Sequence, residues 1–444
     1  MRELRGSALG RCDTRPAVGR QRPRVTDDGS ILPEVVQEAP ATRWPVALRS
    51  LRHRDFRRFW IGLTISVTGT WMQNAAQGWL VYDLTKSALY LGIVGACGSL
   101  PILLFSLPAG VIADRYSKHR IVFITQSFAA VQAGVLALLV YTGVVRVWHV
   151  MLMAALLGVV NAFDMPTRQS MVLDLVGRED IFNAVSLNSS AFNSGRVIGP
   201  SVAGILLAAA GTAGCFFINA LSFLPLIVVL ATIRPRPIRP RMQGSMLEHI
   251  GSGLKWVRGH SVASALLAMT AVASLFAMPY ATLMPLFARG VFHTGPQGYG
   301  FLMSAPAVGS LLAAGTMTVL GHRMRLGAIT VMGSFVFPVA LLLLGVAPSY
   351  AVAVLFLFVI GLGMMSFNTT SNTILQKEPP DELRGRVMGL RAFVFAGMAP
   401  LGNLQIGAMA QWLGPRWAVG IDGAICLVAA AIAWWRAPDL RKSE

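Results

Sequence analysis

Residues 88–120 read ALYLGIVGACGSLPILLFSLPAGVIADRYSKHR. From Ala88 to Ala113 there is no charged side chain. A helix of that length would measure about 39 Å, enough to cross a hydrocarbon layer of roughly 30 Å. Directly after it come Asp114, Arg115, Lys118, His119 and Arg120, a cluster that belongs in water. The stretch therefore predicts a membrane crossing that ends at a charged surface.

The same alternation recurs along the chain. Apolar runs predict helices near 56–82, 88–113, 121–142, 148–166, 183–209, 215–233, 261–287, 299–319, 328–346, 351–371, 386–410 and 417–435. Composition agrees: 54% of the 444 residues are hydrophobic and 13% charged, where soluble domains carry about a quarter charged residues. Trp60, Tyr82, Tyr141, Trp148, Trp256, Trp412, Trp417 and Trp435 sit at span edges, as interfacial aromatic belts require. The expected fold class is an all-α membrane protein with about 12 transmembrane helices in two six-helix bundles.

Charge gives the orientation. The net charge is +18, from 38 Lys+Arg against 20 Asp+Glu. Loops on the N-terminal side hold Arg43 to Arg58, Arg115 to Arg120, Arg168, Arg178, Arg234 to Arg258, Arg323, Arg325, Lys377 to Arg386 and the basic C-terminus. The other side holds only Lys86, Arg146, Arg289 and Arg416. The positive-inside rule then places both termini in the cytoplasm of a cell (inner) membrane. Basic residues spread over loops, with no compact basic domain, also argue against nucleic acid as a partner.

The expected domains are a basic tail at 1–45, a six-helix bundle at 46–233, a cytoplasmic linker at 234–258, a second bundle at 259–436 and a short tail at 437–444. The tail lacks the apolar core of a signal peptide. The proline–arginine repeat from Arg234 to Arg241 cannot form a spanning helix and predicts a semi-extended linker. The halves echo each other: Gly199-Pro200 pairs with Ala399-Pro400, and Asn219 with Asp422. Tandem repeats of this kind suit halves that rock about a central site.

Gly110, Asp114, Arg115, Lys118 and Arg120 form the most specific string. Gly110 allows close helix approach, and Asp114 can meet a helix N-terminus or an arginine. The string resembles the loop 2–3 signature of the major facilitator superfamily, with Ser117 where the family prefers glycine. That resemblance implies the major facilitator fold and a cytoplasmic latch built on Asp114, with Arg115 and Arg120 in support. A second string, Gly195, Arg196, Gly199, Pro200 and Gly204, is similar to the superfamily's span-five exporter motif, with Ser186 and Ala203 replacing two glycines. Pro200 predicts a kink there. Trp71-Met72-Gln73, Pro166-Thr167-Arg168-Gln169 and Asn188-Ser189-Ser190 resemble the enterobactin-exporter-like branch. The likeness covers most of 50–435 and implies drug or siderophore efflux. Span four, drawn to residue 166, lacks the arginine of many drug/proton antiporters.

Charges inside spans are candidates for function. Arg196 lies near mid-depth, where arginine costs roughly 2.5–3.5 kcal/mol unless a carboxylate, carbonyls or a water-filled cavity compensates. Arg391 is expected to snorkel towards the cytoplasmic surface. Asp83, Asp164 and Asp422 lie near span ends, and Asp164 is the preferred proton site. The substrate cavity is expected to draw on Gln73, Gln77, Asn161, Asp164, Asn188, Asn193, Tyr280, Asn368 and Asn372. Amides and aromatics with few charges suit a bulky, mostly apolar ligand.

Phosphate-loop, HExxH and GxSxG patterns are absent, so no enzyme chemistry is expected. Cys12, Cys97, Cys215 and Cys426 are too scattered for a disulfide framework or a zinc site, and no metal or cofactor is expected. The expected function is a secondary active transporter, an exporter working as a monomer on a small-molecule substrate, with proton antiport open. An uptake permease and a non-transporting scaffold or sensor of the same fold are the alternatives.

Overall fold

A computed structural model describes residues 46–233, 246–320 and 325–437. The expected tail at 1–45, the proline–arginine part of the linker and most of the C-terminal tail lie outside the described residues.

After a 3-10 segment (Val46–Arg52), six helices follow: α1 (Arg54–Thr85), α2 (Ala88–Arg115), α3 (Lys118–Tyr141), α4 (Val147–Val176), α5 (Ile181–Ser222) and α6 (Leu224–Thr232). The second series is α7 (Met246–Gly259), α8 (Ser261–Val272), the short turn α9 (Met284–Leu286), α10 (Pro296–Leu320), α11 (Leu326–Gly345), α12 (Tyr350–Lys377), α13 (Asp381–Leu413) and α14 (Pro415–Arg436).

Among the described residues, 10 segments are long and apolar enough to cross a membrane. One of them, Ile181–Thr232, is 52 residues long, twice what a crossing needs. Gly211 divides it: its φ of 67° and ψ of −171° are foreign to a helix and strained for any residue with a Cβ. The 32-residue α1 completes twelve crossings; Gln73, Asn74 and Gln77 dilute its hydropathy. The protein is a multi-pass membrane protein, and Tyr141, Trp148, Trp412, Trp417 and Trp435 stand exposed at helix ends, where belts require them.

The structure departs from the sequence reading in some places and extends it in others. α5 stays helical through Pro200, and the break falls at Gly211 instead. α4 runs ten residues past the drawn end of span four, which takes Arg168 out of its expected loop and into a helix. Span seven is not one regular helix. Beyond Val272 it continues as a π-turn (Ala273–Ala277), a 3-10 turn (Met278–Leu283), α9 and a second π-turn (Phe287–Val291). Pro279 and Pro285 lack the N–H that a regular ladder would use there. The linker includes a helix, α7, which buries Val257 and packs against α13.

Within the first half α1 packs on α5, α2 on α4, and α3 on both α4 and α5. In the second, α12 packs on α10 and α11, and α11 on α14. The halves meet through two equivalent pairs, α2 with α13 and α5 with α10. Spans two and five of one repeat thus meet spans eleven and eight of the other.

Candidate functional site

The contacts between halves cluster at one end, the end poor in arginine. Tyr299 donates its hydroxyl to the Ala75 carbonyl at 3.0 Å, and its ring lies 5.4 Å from that of Trp79. Ser87 donates to Gln411 at 2.8 Å, and the Ser201 and Ser304 hydroxyls meet at 2.8 Å. Arg289 pairs with Asp83 and sits 4.5 Å from the Trp79 ring centroid, while Lys86 reaches the same carboxylate at 3.0 Å. α5 meets α10 where Gly204 faces Gly300: a Cβ on Gly300 would lie 2.7 Å from the Pro200 carbonyl.

Towards the arginine-rich end close approaches between the halves are fewer among the described residues. α2 and α13 approach at Gly92 and Gly407, and again at Leu103 and Gly397, whereas a Cβ on Gly110 or Gly389 would meet nothing within 4 Å. Two cavities lie among these helices. One, about 110 Å³, lies in the first half between Trp71, Asn74, Asn161, Asp164, Arg168 and Phe192. The other, about 60 Å³, lies where Arg196 of α5 meets Thr270, Met278, Met364, Asn368 and Phe395 of the second half.

A ladder of charges and rings joins them. Asp164 binds Arg168 at 3.2 Å, and the Arg168 guanidinium lies 5.9 Å from the Phe192 ring centroid. Phe192 meets Trp71 edge-on at 6.4 Å, and Arg196 lies 6.0 Å from the Trp71 ring centroid. Asp164 also accepts from Thr125 and Gln126, each at 3.0 Å, and Gln126 in turn accepts from Ser66 at 3.0 Å. The pair is almost fully buried, where a charge needs a partner of opposite sign and hydrogen bonds to its remaining lone pairs.

Of the cavity candidates, Asn161, Asp164 and Asn368 line these cavities, and Arg196 of the span-five string joins them. Tyr280 is buried within electrostatic reach of Arg196. Asn372 lies beside Asn368, both accepting hydrogen bonds from Arg391. Gln77 and Asn188 are half-buried, each with a buried side-chain oxygen that meets no donor among the described residues. Asn193 donates to the carbonyl of Ser189 in its own helix.

Other expectations are overturned. Gln73 does not face the cavity: it is fully buried, accepts from Asn219 at 2.7 Å and donates to Gln132 at 3.1 Å, an amide chain that ties α1 to α5 and α3. Arg391 does not snorkel; it turns inward to Asn368 at 2.6 Å and Asn372 at 3.2 Å. Asp422 is not solvated at a span end but completely buried, accepting from Gln405 at 3.0 Å.

Of the loop string, Lys118 donates to Asp174 at 2.8 Å, inside its own half, and Arg115 and Arg120 are exposed. Asp114 closes α2, and its side chain lies outside the described part of the structure. The span-five string is a packing seam. Cβ atoms on Gly195 and Gly199 would fall 2.9 Å from Val67 and 2.6 Å from Trp71 of α1, while Gly204 turns to α10.

Sequence reading missed Arg168, Trp71 and Phe192 as site residues. The spacing of Asp164 and Arg168, i and i+4, was a usable signal for the first. Trp71 and Phe192 are ordinary aromatics until the helices pack.

A solved bacterial homologue of the human lysosomal transporter Spinster, in an inward-facing and unoccupied conformation, superposes with a TM-score of 0.71 at 14% identity, covering 90% of this chain and 99% of that one. That likeness establishes the fold. In sequence the chain is 29% identical to the staphyloferrin A transporter of Staphylococcus aureus, over 78% of this chain and 87% of the relative. It is 26% identical to the multidrug efflux pump Tap of Mycolicibacterium fortuitum, over 76% and 84%, and 20% identical to macrolide efflux protein A of Streptococcus pyogenes, over 85% and 94%. The family described as transmembrane secretion effector matches residues 46–444. The chain therefore belongs to the transmembrane secretion effector family, and is a membrane transporter of the major facilitator type for small-molecule substrates.

Proposed function

We propose that the protein exports small, largely hydrophobic molecules of the drug or siderophore class across the inner membrane, by alternating access and in exchange for protons. The carrying observation is a cavity lined by both halves, with contacts between the halves gathered at the arginine-poor end; on this reading it is approached from the arginine-rich end. The positive-inside rule makes the arginine-rich end cytoplasmic, with both termini on that side, so the cavity loads from the cell interior. Relatives named as efflux pumps support the same direction. Since one chain supplies both walls of the cavity, a monomer suffices.

On this reading Asp114 latches the cytoplasmic ends of α2 and α13 when the cavity faces outward, with Arg115, Lys118 and Arg120 in the same layer. The Gly199 and Gly204 seam holds α5 against α1 and α10 as the halves rock. Asp164, in its pair with Arg168, is the proton-responsive group.

Inside-out vesicles carrying the protein should accumulate a transported compound and release protons to a pH dye, and Asp114→Asn should slow both. Accumulation confined to right-side-out vesicles would establish uptake instead. Unchanged drug and siderophore handling in cells carrying Asp114→Asn and Arg196→Gln would favour a scaffold.

A further inference from the structure

Arg168, Arg196, Arg289 and Arg391 lie within or against the spans, and they are not neutralised alike. Arg168 has Asp164, and Arg289 has Asp83. Arg196 and Arg391 have no carboxylate within ion-pair distance among the described residues. The Arg196 guanidinium rests over the Trp71 face, which attracts a cation but leaves its N–H donors free. Arg391 is fixed by the side-chain oxygens of Asn368 and Asn372, and its Nε is buried with no acceptor. Amides orient a guanidinium without cancelling its charge. Asp422, the buried carboxylate of this half, is engaged by Gln405 and by neither arginine.

These two uncancelled charges belong to one place. Arg196 lines the cavity from the first half and Asn368 from the second, with Arg391 one hydrogen bond behind Asn368. Met278, Met364 and Phe395 supply most of the remaining surface, soft and apolar. A positive potential in a cleft with low-dielectric walls is focused, not screened. Guanidinium forks match carboxylate and phosphate oxygens in both charge and geometry.

We infer that the transported molecule is an amphipathic anion, its carboxylate or phosphate held by Arg196, its apolar body against Met278, Met364 and Phe395, and the charge of Arg391 behind Asn368 adding to the attraction. This rests on the transporter reading and specifies its substrate class.

The test uses the full chain in phosphatidylcholine nanodiscs and three matched probes: pyrenebutyrate, its methyl ester and a trimethylammonium analogue. The acid should bind about tenfold or more tighter than the ester, a difference near 1.4 kcal/mol. Arg196→Gln should remove most of that preference and Arg391→Gln a smaller part of it, and Arg196→Lys should restore part of what Arg196→Gln loses. Ester or ammonium binding equal to the acid in the wild type overturns the inference, whether or not the variants fold. Adding phosphatidylglycerol separates the sources: competition identifies a lipid phosphate as the anion, and its absence a soluble carboxylate. In inside-out vesicles, pumping of the ammonium compound alone would sink the anion assignment and leave export standing. Pumping of none would sink export, while the binding arm still decides on the anion.

Discussion

Arg289 pairs with Asp83 across the two halves of the molecule, and its guanidinium lies 4.5 Å from the centroid of the Trp79 ring on the same helix as Asp83. The ion pair links span one to span seven at the sealed end, where Tyr299 of α10 also reaches the backbone of α1. Both side chains are about a third exposed, at 38% and 33%, so water weakens the pair.

Asp83→Asn or Arg289→Gln should therefore loosen the seal and not abolish it. An exposed pair contributes about 0–1 kcal/mol and the cation–π contact about 0.5–2 kcal/mol. A severalfold gain in the population open at this end is expected. Spin labels at Leu84 and His293 would report it as a longer distance component, and an unchanged distribution would remove the pair from the gate.

Gly204→Leu should keep the halves from closing at this end. Even a Cβ there would come within 2.9 Å of the Pro296 carbonyl and 3.1 Å of Gly300 Cα, both backbone atoms that cannot rotate aside. Overpacking of this sort costs typically 1–3 kcal/mol. The expected result is a protein that still inserts in the membrane but transports poorly, read by vesicle uptake normalised to folded protein. Wild-type uptake would show that α5 and α10 need not touch during the cycle.

Asp164→Asn should leave the Arg168 guanidinium buried without its counter-charge, a loss of about 3–5 kcal/mol. Adding Arg168→Gln should recover much of it, because two neutral amides can hydrogen-bond each other. Thermal unfolding in detergent measures both. A double variant no more stable than Asp164→Asn would mean that the pair is not the dominant interaction of either residue.

At the arginine-rich end, before span one, Arg49, Arg52 and His53 converge on Asp180 at 3.1, 2.8 and 2.8 Å. Burial of the Asp180 carboxyl raises its pKa, but the hydrogen bond with His53 and the charges of Arg52 and Arg49 outweigh this and hold it below the usual aspartate range. A carboxyl depressed in the folded state adds stability that is complete above its unfolded pKa of about 3.9 and disappears as pH falls through the folded value. Asp180→Asn should thus destabilise at neutral pH and flatten the loss of stability below about pH 4. Parallel unfolding curves for wild type and variant over that range would contradict the assignment.

Much of this was readable in advance because hydropathy is a local property. The Ala88–Ala113 run declares a crossing without reference to any other residue, and the loop string after it carries the superfamily resemblance. Arg168 was misplaced for the same reason. A charge ends an apolar run in the sequence, yet a helix can continue through it when a partner such as Asp164 lies one turn away. Gln73 and Asp422 were misjudged because a polar side chain in a span has two possible homes, the cavity or the seam between helices, and periodicity does not choose between them.

The sequence alone determined the crossings, the division into two similar halves and the basic face, since each depends on composition along a line. Only the tertiary structure decided which end is sealed, which arginines meet a carboxylate, and that Arg196 lines a cavity without one. Those are matters of distance between residues such as Asp83 and Arg289, or Arg196 and Asn368, brought together by helix packing. No pattern along the chain encodes that proximity.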